Sequence, residues 1–254
     1  MGAATPPQPG RGPSLAATAY LVLYNSLAAL AWAYVDFLLL TSGGLAAPER
    51  VWPAVAHVLR PLQAAALLEV AHAALGLVRG SPFVAFVQVF ARLAVLLGVV
   101  APVPAAQRSA AFGIMAAAWA AVEVPRYVYY VISALDRRAA AVAEARGAAP
   151  PTPSMPYAVK WLRYSLFVPL YPLGIAGELG CYWAGFDAVR RDEPGMSLTM
   201  PNAWNAKLSH FGVVCFLLAL YPLGSVFMIG NMVKARASAL GPSSTPEKSG
   251  RRGE

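Results

Sequence analysis

Apolar runs long enough to cross a bilayer recur along this chain, and that recurrence constrains its fold more than any single motif. A spanning helix needs about twenty predominantly apolar residues. In hydrocarbon the backbone N–H and C=O groups must be satisfied within the segment, so such runs fold as helices. The runs fall at about 17–41, 55–78, 82–104, 109–133, 162–187 and 209–233. The reading is an all-α, polytopic membrane protein: a six-transmembrane-helix bundle over 17–236, with disordered tails at 1–16 and 237–254. The run at 55–78 is the most polar, holding Arg60, Gln63, Glu69 and His72. Composition agrees with a membrane domain, because only 13% of residues are charged, against about 25% in soluble domains.

The basic residues set the orientation. Lys and Arg are enriched in cytoplasmic loops. With both termini on one side, that side receives Arg11, Arg79, Arg137, Arg138, Arg146, Lys160, Arg163 and the basic residues from Lys234 onward. The other side receives Arg50, Arg108, Arg190, Arg191 and Lys207. The imbalance predicts both termini in the cytosol, and an even number of spans is consistent with that. The Ala/Pro-rich stretch 137–156 then reads as a cytosolic loop. The net charge of +8 sits in loops and tails and does not interleave with aromatics, so no nucleic-acid surface is indicated. Cys181 and Cys215 lie in apolar runs, and His57, His72 and His210 are scattered. No zinc-ligand spacing, phosphate-binding loop or dinucleotide fingerprint is present, so the reading includes no metal and no cofactor.

Several spans carry ionisable or amide groups at depth, where charge is expensive and marks a functional site by default. Glu69 and His72 are three apart, as are Glu123 and Arg126, and Gln88 and Arg92 are four apart. These spacings place each pair on one helix face. They read either as structural bridges or as the lining of a polar interior pocket. Tyr127, Tyr129, Tyr130, Trp161 and Arg163 fall near span ends, where aromatic and basic residues serve as interfacial anchors.

The fifth run contains Tyr171-Pro-Leu-Gly-Ile-Ala-Gly-Glu178. Seven residues are about two helical turns, so the phenol and the carboxyl share a face about 10 Å apart. The pair suits proton transfer on an apolar substrate. Gly174 and Gly177 read either as close helix packing or as room for an acyl chain. A second copy, Tyr221-Pro-Leu-Gly224, has Met228 where the carboxylate would stand, and reads as helix packing.

Trp161 to Leu170 followed by YPLGIAGE resembles the signature of the very-long-chain (3R)-3-hydroxyacyl-CoA dehydratases, a family that includes the plant PASTICCINO proteins and was once called phosphatase-like. Tyr20 to Asn25, Leu68 to His72 with Gly76, Gln88 with Arg92, Trp119 to Glu123 with Arg126 and Tyr127, and Met200-Pro201-Asn202 resemble further family segments in order. The resemblance spans about residues 18–236. Pro125 stands where relatives usually carry an aliphatic residue. The phosphatase pattern Cys-x5-Arg is absent: Asp187 follows Cys181 by six, and Tyr221 follows Cys215 by six.

The resemblance implies catalytic roles for Tyr171 and Glu178 in removing water from a very-long-chain 3-hydroxyacyl-CoA, the third step of fatty-acid elongation, in the endoplasmic-reticulum membrane. Which of the two is base and which acid stays open. It implies a polar network of Glu69, His72 and Glu123, with substrate contacts from Arg163, Gly174, Gly177, Arg126, Gln88 and Arg92. Arg163 lies about 12 Å toward the cytosol from Tyr171 on a helix, where a guanidinium suits CoA phosphates. The implied partners are membrane lipid and the other elongation enzymes: a condensing enzyme, a ketoacyl-CoA reductase and an enoyl-CoA reductase. A silent scaffold of the same fold and a small proton-coupled transporter are the competing readings.

Overall fold

The computed structural model describes residues 13–241, and apart from one isolated bridge between Leu198 and Leu208 the described residues are helical or loop. The helices are α1 (Leu15–Thr41), α2 (Pro48–Ala65), α3 (Leu67–Ala74), α4 (Pro82–Val95), α5 (Pro104–Gln107), α6 (Ala110–Ala145), α7 (Tyr157–Ser165), α8 (Phe167–Arg190) and α9 (His210–Leu240). A π-helical segment, Leu96–Val100, extends α4.

Local chemistry sets the starts and stops. Ser14, Ser81, Ser109 and Ser209 precede α1, α4, α6 and α9, and each hydroxyl accepts a backbone N–H of the first turn. Serine there satisfies one of the donors a helix start leaves free. Pro48, Pro82 and Pro104 open α2, α4 and α5, where the missing N–H does no harm. Gly147, with φ +66, follows α6 in the left-handed region that glycine adopts without strain.

Among the described residues, four helical stretches are long and apolar enough to cross a membrane: Leu15–Thr41, Pro48–Ala74, Pro82–Val100 and His210–Leu240. The sequence reading has six. The two helices outside that set, α6 and α8, have 36 and 24 residues, enough for about 30 Å of hydrocarbon. Their polar, aromatic and glycine residues dilute the hydropathy.

Several expected boundaries need correction. The run at 55–78 is two helices meeting at Ala66 and ending at Ala74. The run at 162–187 is likewise split, between Ser165 and Phe167. The stretch 137–156, read as a loop, is helical to Ala145, because Ala, Arg and Glu favour helix. The C-terminal tail, read as starting at 237, is still helix up to Leu240, since no proline or glycine falls between 231 and 240. Residues 15 and 16 of the expected N-terminal tail belong to α1. The remaining tail expectations at 1–12 and 242–254 lie outside the described residues. Pro125 and Pro172 sit inside α6 and α8 without ending them.

The long helix α6 is central, packed along α1 and α8. The apolar core gathers where α1 ends and α6 begins, from Trp32, Val35, Val55, Leu59, Val99, Phe112, Met115 and Cys181. Large apolar side chains also face outward along the helices, among them Leu23, Leu27, Leu30, Phe86, Phe90, Phe216 and Leu223. A contiguous apolar exterior of this kind marks contact with membrane or protein. The other half of the bundle, from about Trp119 to Tyr130 on α6, is polar inside.

Candidate active site

Glu178 leaves α8 beside Gly177, at the tightest crossing with α6. A Cβ at position 177 would stand 2.6 Å from the Met115 nitrogen and 2.9 Å from the Ala111 carbonyl oxygen. Only glycine permits that approach. The expectation that Gly177 leaves room for an acyl chain is therefore corrected: its face is filled by the α6 backbone. Gly174 is different, since a Cβ there would meet Ala118 Cβ at an ordinary 3.8 Å.

The close crossing brings Glu178 to Trp119 on α6. The Trp119 indole N–H donates to Glu178 Oε1 at 3.0 Å. From α9 the Tyr221 hydroxyl donates to Oε2 at 2.5 Å. Reading the second YPLG copy as helix packing alone is thus also corrected. Tyr171 is half-buried on α8, within electrostatic reach of Glu178 and Arg92. Among the described residues its hydroxyl makes no hydrogen bond, which leaves it free for a substrate.

Behind Trp119 runs a chain of charges through α3, α4 and α6. The Arg92 guanidinium lies 5.2 Å over the Trp119 ring and donates to Glu123 Oε1. Arg126 Nε donates to the other Glu123 oxygen at 2.5 Å. Two further Arg126 nitrogens reach Glu69 at 2.7 and 2.9 Å, and the Tyr127 hydroxyl donates to Glu69 as well. The Glu123 side chain is only 2% exposed. Buried charges persist when they are paired and hydrogen-bonded, and each carboxylate here has two partners.

The i,i+3 pairing of Glu123 with Arg126 expected from the sequence is present. The other two local pairings are replaced by contacts between helices. Arg92 turns from Gln88 to Glu123, and Gln88 is exposed on α4. His72 turns from Glu69 to Tyr20, whose hydroxyl lies 2.8 Å from Nε2, while the Tyr24 ring packs edge-on at 4.9 Å. Tyr24 donates to the Ala65 carbonyl at 3.2 Å, where α2 gives way to α3.

Arg163 sits apart from Glu178, on α7. It donates to the Tyr130 hydroxyl at 3.1 Å and lies 5.6 Å and 5.4 Å over the Tyr130 and Tyr164 rings. Its Nε is buried and has no hydrogen-bond partner among the described residues. The sequence reading missed Tyr221 and Tyr130 as functional neighbours and took Trp119 only as part of a resemblance. The repeated YPLG on successive spans was the one signal for Tyr221.

Comparison with known proteins adds an independent line. The family model described as protein tyrosine phosphatase-like protein, PTPLA, matches residues 63–242. The chain is 31% identical over 224 residues to very-long-chain (3R)-3-hydroxyacyl-CoA dehydratase hpo-8 of Caenorhabditis elegans, covering 87% of this chain and 94% of that protein. It is 31% identical over 224 residues to the dehydratase PASTICCINO 2 of Arabidopsis thaliana, covering 88% and 94%. It is 29% identical over 216 residues to dehydratase 2 of Mus musculus, covering 83% and 76%. No solved structure matches the chain. With a family match over more than half its length and relatives at this identity, the chain belongs to the protein tyrosine phosphatase-like (PTPLA) family.

Proposed function

We propose that this protein dehydrates very-long-chain (3R)-3-hydroxyacyl-CoA, the activity its relatives are named for, and that the product is the trans-2-enoyl-CoA. The observation that carries the reading is Glu178, held by Trp119 and Tyr221 in an apolar bundle with Tyr171 on the same helix. Loss of water from C2 and C3 needs a base and an acid, and both are present. An indole N–H can only donate, and Tyr221 donates to the second oxygen, so this setting suits Glu178 as an acceptor. Glu178 takes the C2 proton, the C2–H electrons form the double bond, and the C3–O bond breaks. Tyr171 protonates the departing hydroxyl, which leaves as water. Glu178 then gives its proton to solvent and the Tyr171 phenolate takes one back from solvent, which closes the cycle.

Arg163 receives the CoA phosphates in this reading, through a guanidinium held beside Tyr130 and Tyr164. Arg92 and Arg126 are engaged by carboxylates and support the site's architecture. In this reading the chain crosses the endoplasmic-reticulum membrane six times with both termini in the cytosol, so that α7 lies at the face where acyl-CoA arrives, alongside the other elongation enzymes.

The test is product formation. Purified protein in proteoliposomes receives a long-chain 3-hydroxyacyl-CoA in R and S forms, and mass spectrometry follows the enoyl-CoA. Product from the R form alone supports the reading. No product from folded protein sends it back to a silent scaffold.

A further inference from the structure

We infer that Tyr221 is a positioning residue for Glu178, and that α9 completes the active site through this single phenol. The inference rests on the dehydratase reading above. Glu178 has two carboxylate oxygens and the structure gives each one donor, Trp119 from α6 and Tyr221 from α9. The 2.5 Å separation is in the range of hydrogen bonds to an ionised acceptor.

Three features separate this contact from ordinary packing. First, α9 is loosely seated: of its 31 residues only His210, Val214 and Met228 are buried. Tyr221 is half-buried and turned inward, while its neighbours Pro222 and Leu223 are exposed. Second, few other polar contacts tie α9 to the bundle, and they lie at its ends. The His210 backbone N–H donates to Ser197 Oγ at 3.0 Å, and Arg236 Nε donates to Ser165 Oγ at 3.3 Å. The Tyr221 bond therefore fixes the middle of the helix. Third, α8 and α9 each present a YPLG segment to the same carboxylate region, one contributing Tyr171 and the other Tyr221. The two phenols have different geometry. Tyr221 is committed to Glu178, and Tyr171 has no partner among the described residues. That division leaves Tyr171 available to the substrate and gives Tyr221 the task of fixing the carboxylate that must face C2.

A positioning role predicts a specific kinetic pattern. A carboxylate free to turn about its last torsion still binds substrate but reaches C2 less often. Tyr221→Phe removes one oxygen and keeps the ring. It is expected to lower kcat roughly 10- to 100-fold, with KM changed less than about twofold. Residues that act as a unit are non-additive. In a Glu178→Asp background, whose shortened carboxylate has already left Tyr221, Tyr221→Phe is expected to lower kcat by less than about twofold further.

The experiment measures kcat and KM for wild type, Tyr221→Phe, Glu178→Asp and the double variant, all in proteoliposomes, with folded fraction checked by thermal unfolding. Met228→Ala, buried on the same helix, loosens α9 without touching Glu178 and is expected to keep kcat per folded molecule. If Tyr221→Phe yields little folded protein, Tyr221→Gln supplies the second variant. Its shorter donor is expected to give a kcat between wild type and Glu178→Asp. Unchanged kcat in Tyr221→Phe overturns the inference. So does a loss that appears wholly in KM, or full additivity with Glu178→Asp. Product from wild type with any of these results leaves the dehydratase reading standing, whereas no product from wild type removes that reading itself.

Discussion

Arg126 on α6 grips Glu69 on α3 through two guanidinium nitrogens, at 2.7 and 2.9 Å, while its Nε holds Glu123 at 2.5 Å. One side chain thereby locks α3 to α6, and through Glu123 and Arg92 it reaches α4. Arg126→Leu leaves two carboxylates short of a partner in a buried setting. Removing one member of a buried ion pair costs about 3–5 kcal/mol. A fall in the thermal midpoint in detergent, far larger than for Arg190→Leu on the surface of α8, is the expected result. Equal midpoints would mean the network contributes nothing to the fold.

Lysine in place of that arginine is not conservative. Arg126 makes bonds in three directions from a planar fork, and an ammonium cannot reproduce that geometry. Arg126→Lys is expected to recover less than half of the stability lost in Arg126→Leu, read from the same unfolding curves. Full recovery would show that charge alone matters.

Gly174 and Gly177 lie one turn apart on α8 and are expected to respond oppositely to the same change. A methyl group at 174 meets Ala118 at 3.8 Å, so Gly174→Ala should be tolerated within about 1 kcal/mol. At 177 the methyl group falls 2.6 Å from a backbone nitrogen. Gly177→Ala should destabilise by about 3 kcal/mol or more, because overpacking against backbone cannot relax by rotamer change. Yield of folded protein and thermal midpoint check both.

Arg163 stacks on Tyr130 and Tyr164 and donates to the Tyr130 hydroxyl. As a phosphate contact it contributes to binding more than to chemistry. Arg163→Ala is expected to raise KM for acyl-CoA about 10-fold or more with kcat nearly unchanged, since a hydrogen bond to a charged group is worth roughly 1.5–3 kcal/mol. A drop in kcat at constant KM would assign Arg163 to the site's architecture.

The orientation has its own test. With Cys181 and Cys215 replaced by alanine, single cysteines introduced as Ser154→Cys and Ser197→Cys lie on opposite sides of the proposed membrane. In sealed microsomes an impermeant maleimide should label the first directly and the second only after permeabilisation. The reverse pattern would put the termini in the lumen.

Much of this architecture was legible in the sequence because a membrane helix announces itself by length and apolarity. The capping serines Ser14, Ser81, Ser109 and Ser209 went unread, although serine ahead of an apolar run is a helix-start signal. The long α6 was underestimated because Ala139 to Ala145 reads as linker by composition while its residues favour helix. Within the site, periodicity correctly paired Glu123 with Arg126, which share one helix. It misassigned Arg92 and His72, whose partners Glu123 and Tyr20 come from other helices. Spacing reports faces of a single helix and is silent on which helix lies opposite. For the same reason Tyr221 went unrecognised: its partner Glu178 is 43 positions away, and only the packing of α9 on α8 joins them.

The most direct measurement compares wild type, Glu178→Gln and Tyr171→Phe for conversion of a long-chain (3R)-3-hydroxyacyl-CoA, with exchange of the C2 proton against deuterated water followed alongside. The account predicts enoyl-CoA from the wild type and losses of at least about 100-fold in both variants, the usual scale for an acid or base in proton transfer. It also predicts that any residual C2 exchange survives in Tyr171→Phe and vanishes in Glu178→Gln. Turnover by Glu178→Gln at the wild-type rate would contradict the assignment of Glu178 as the base.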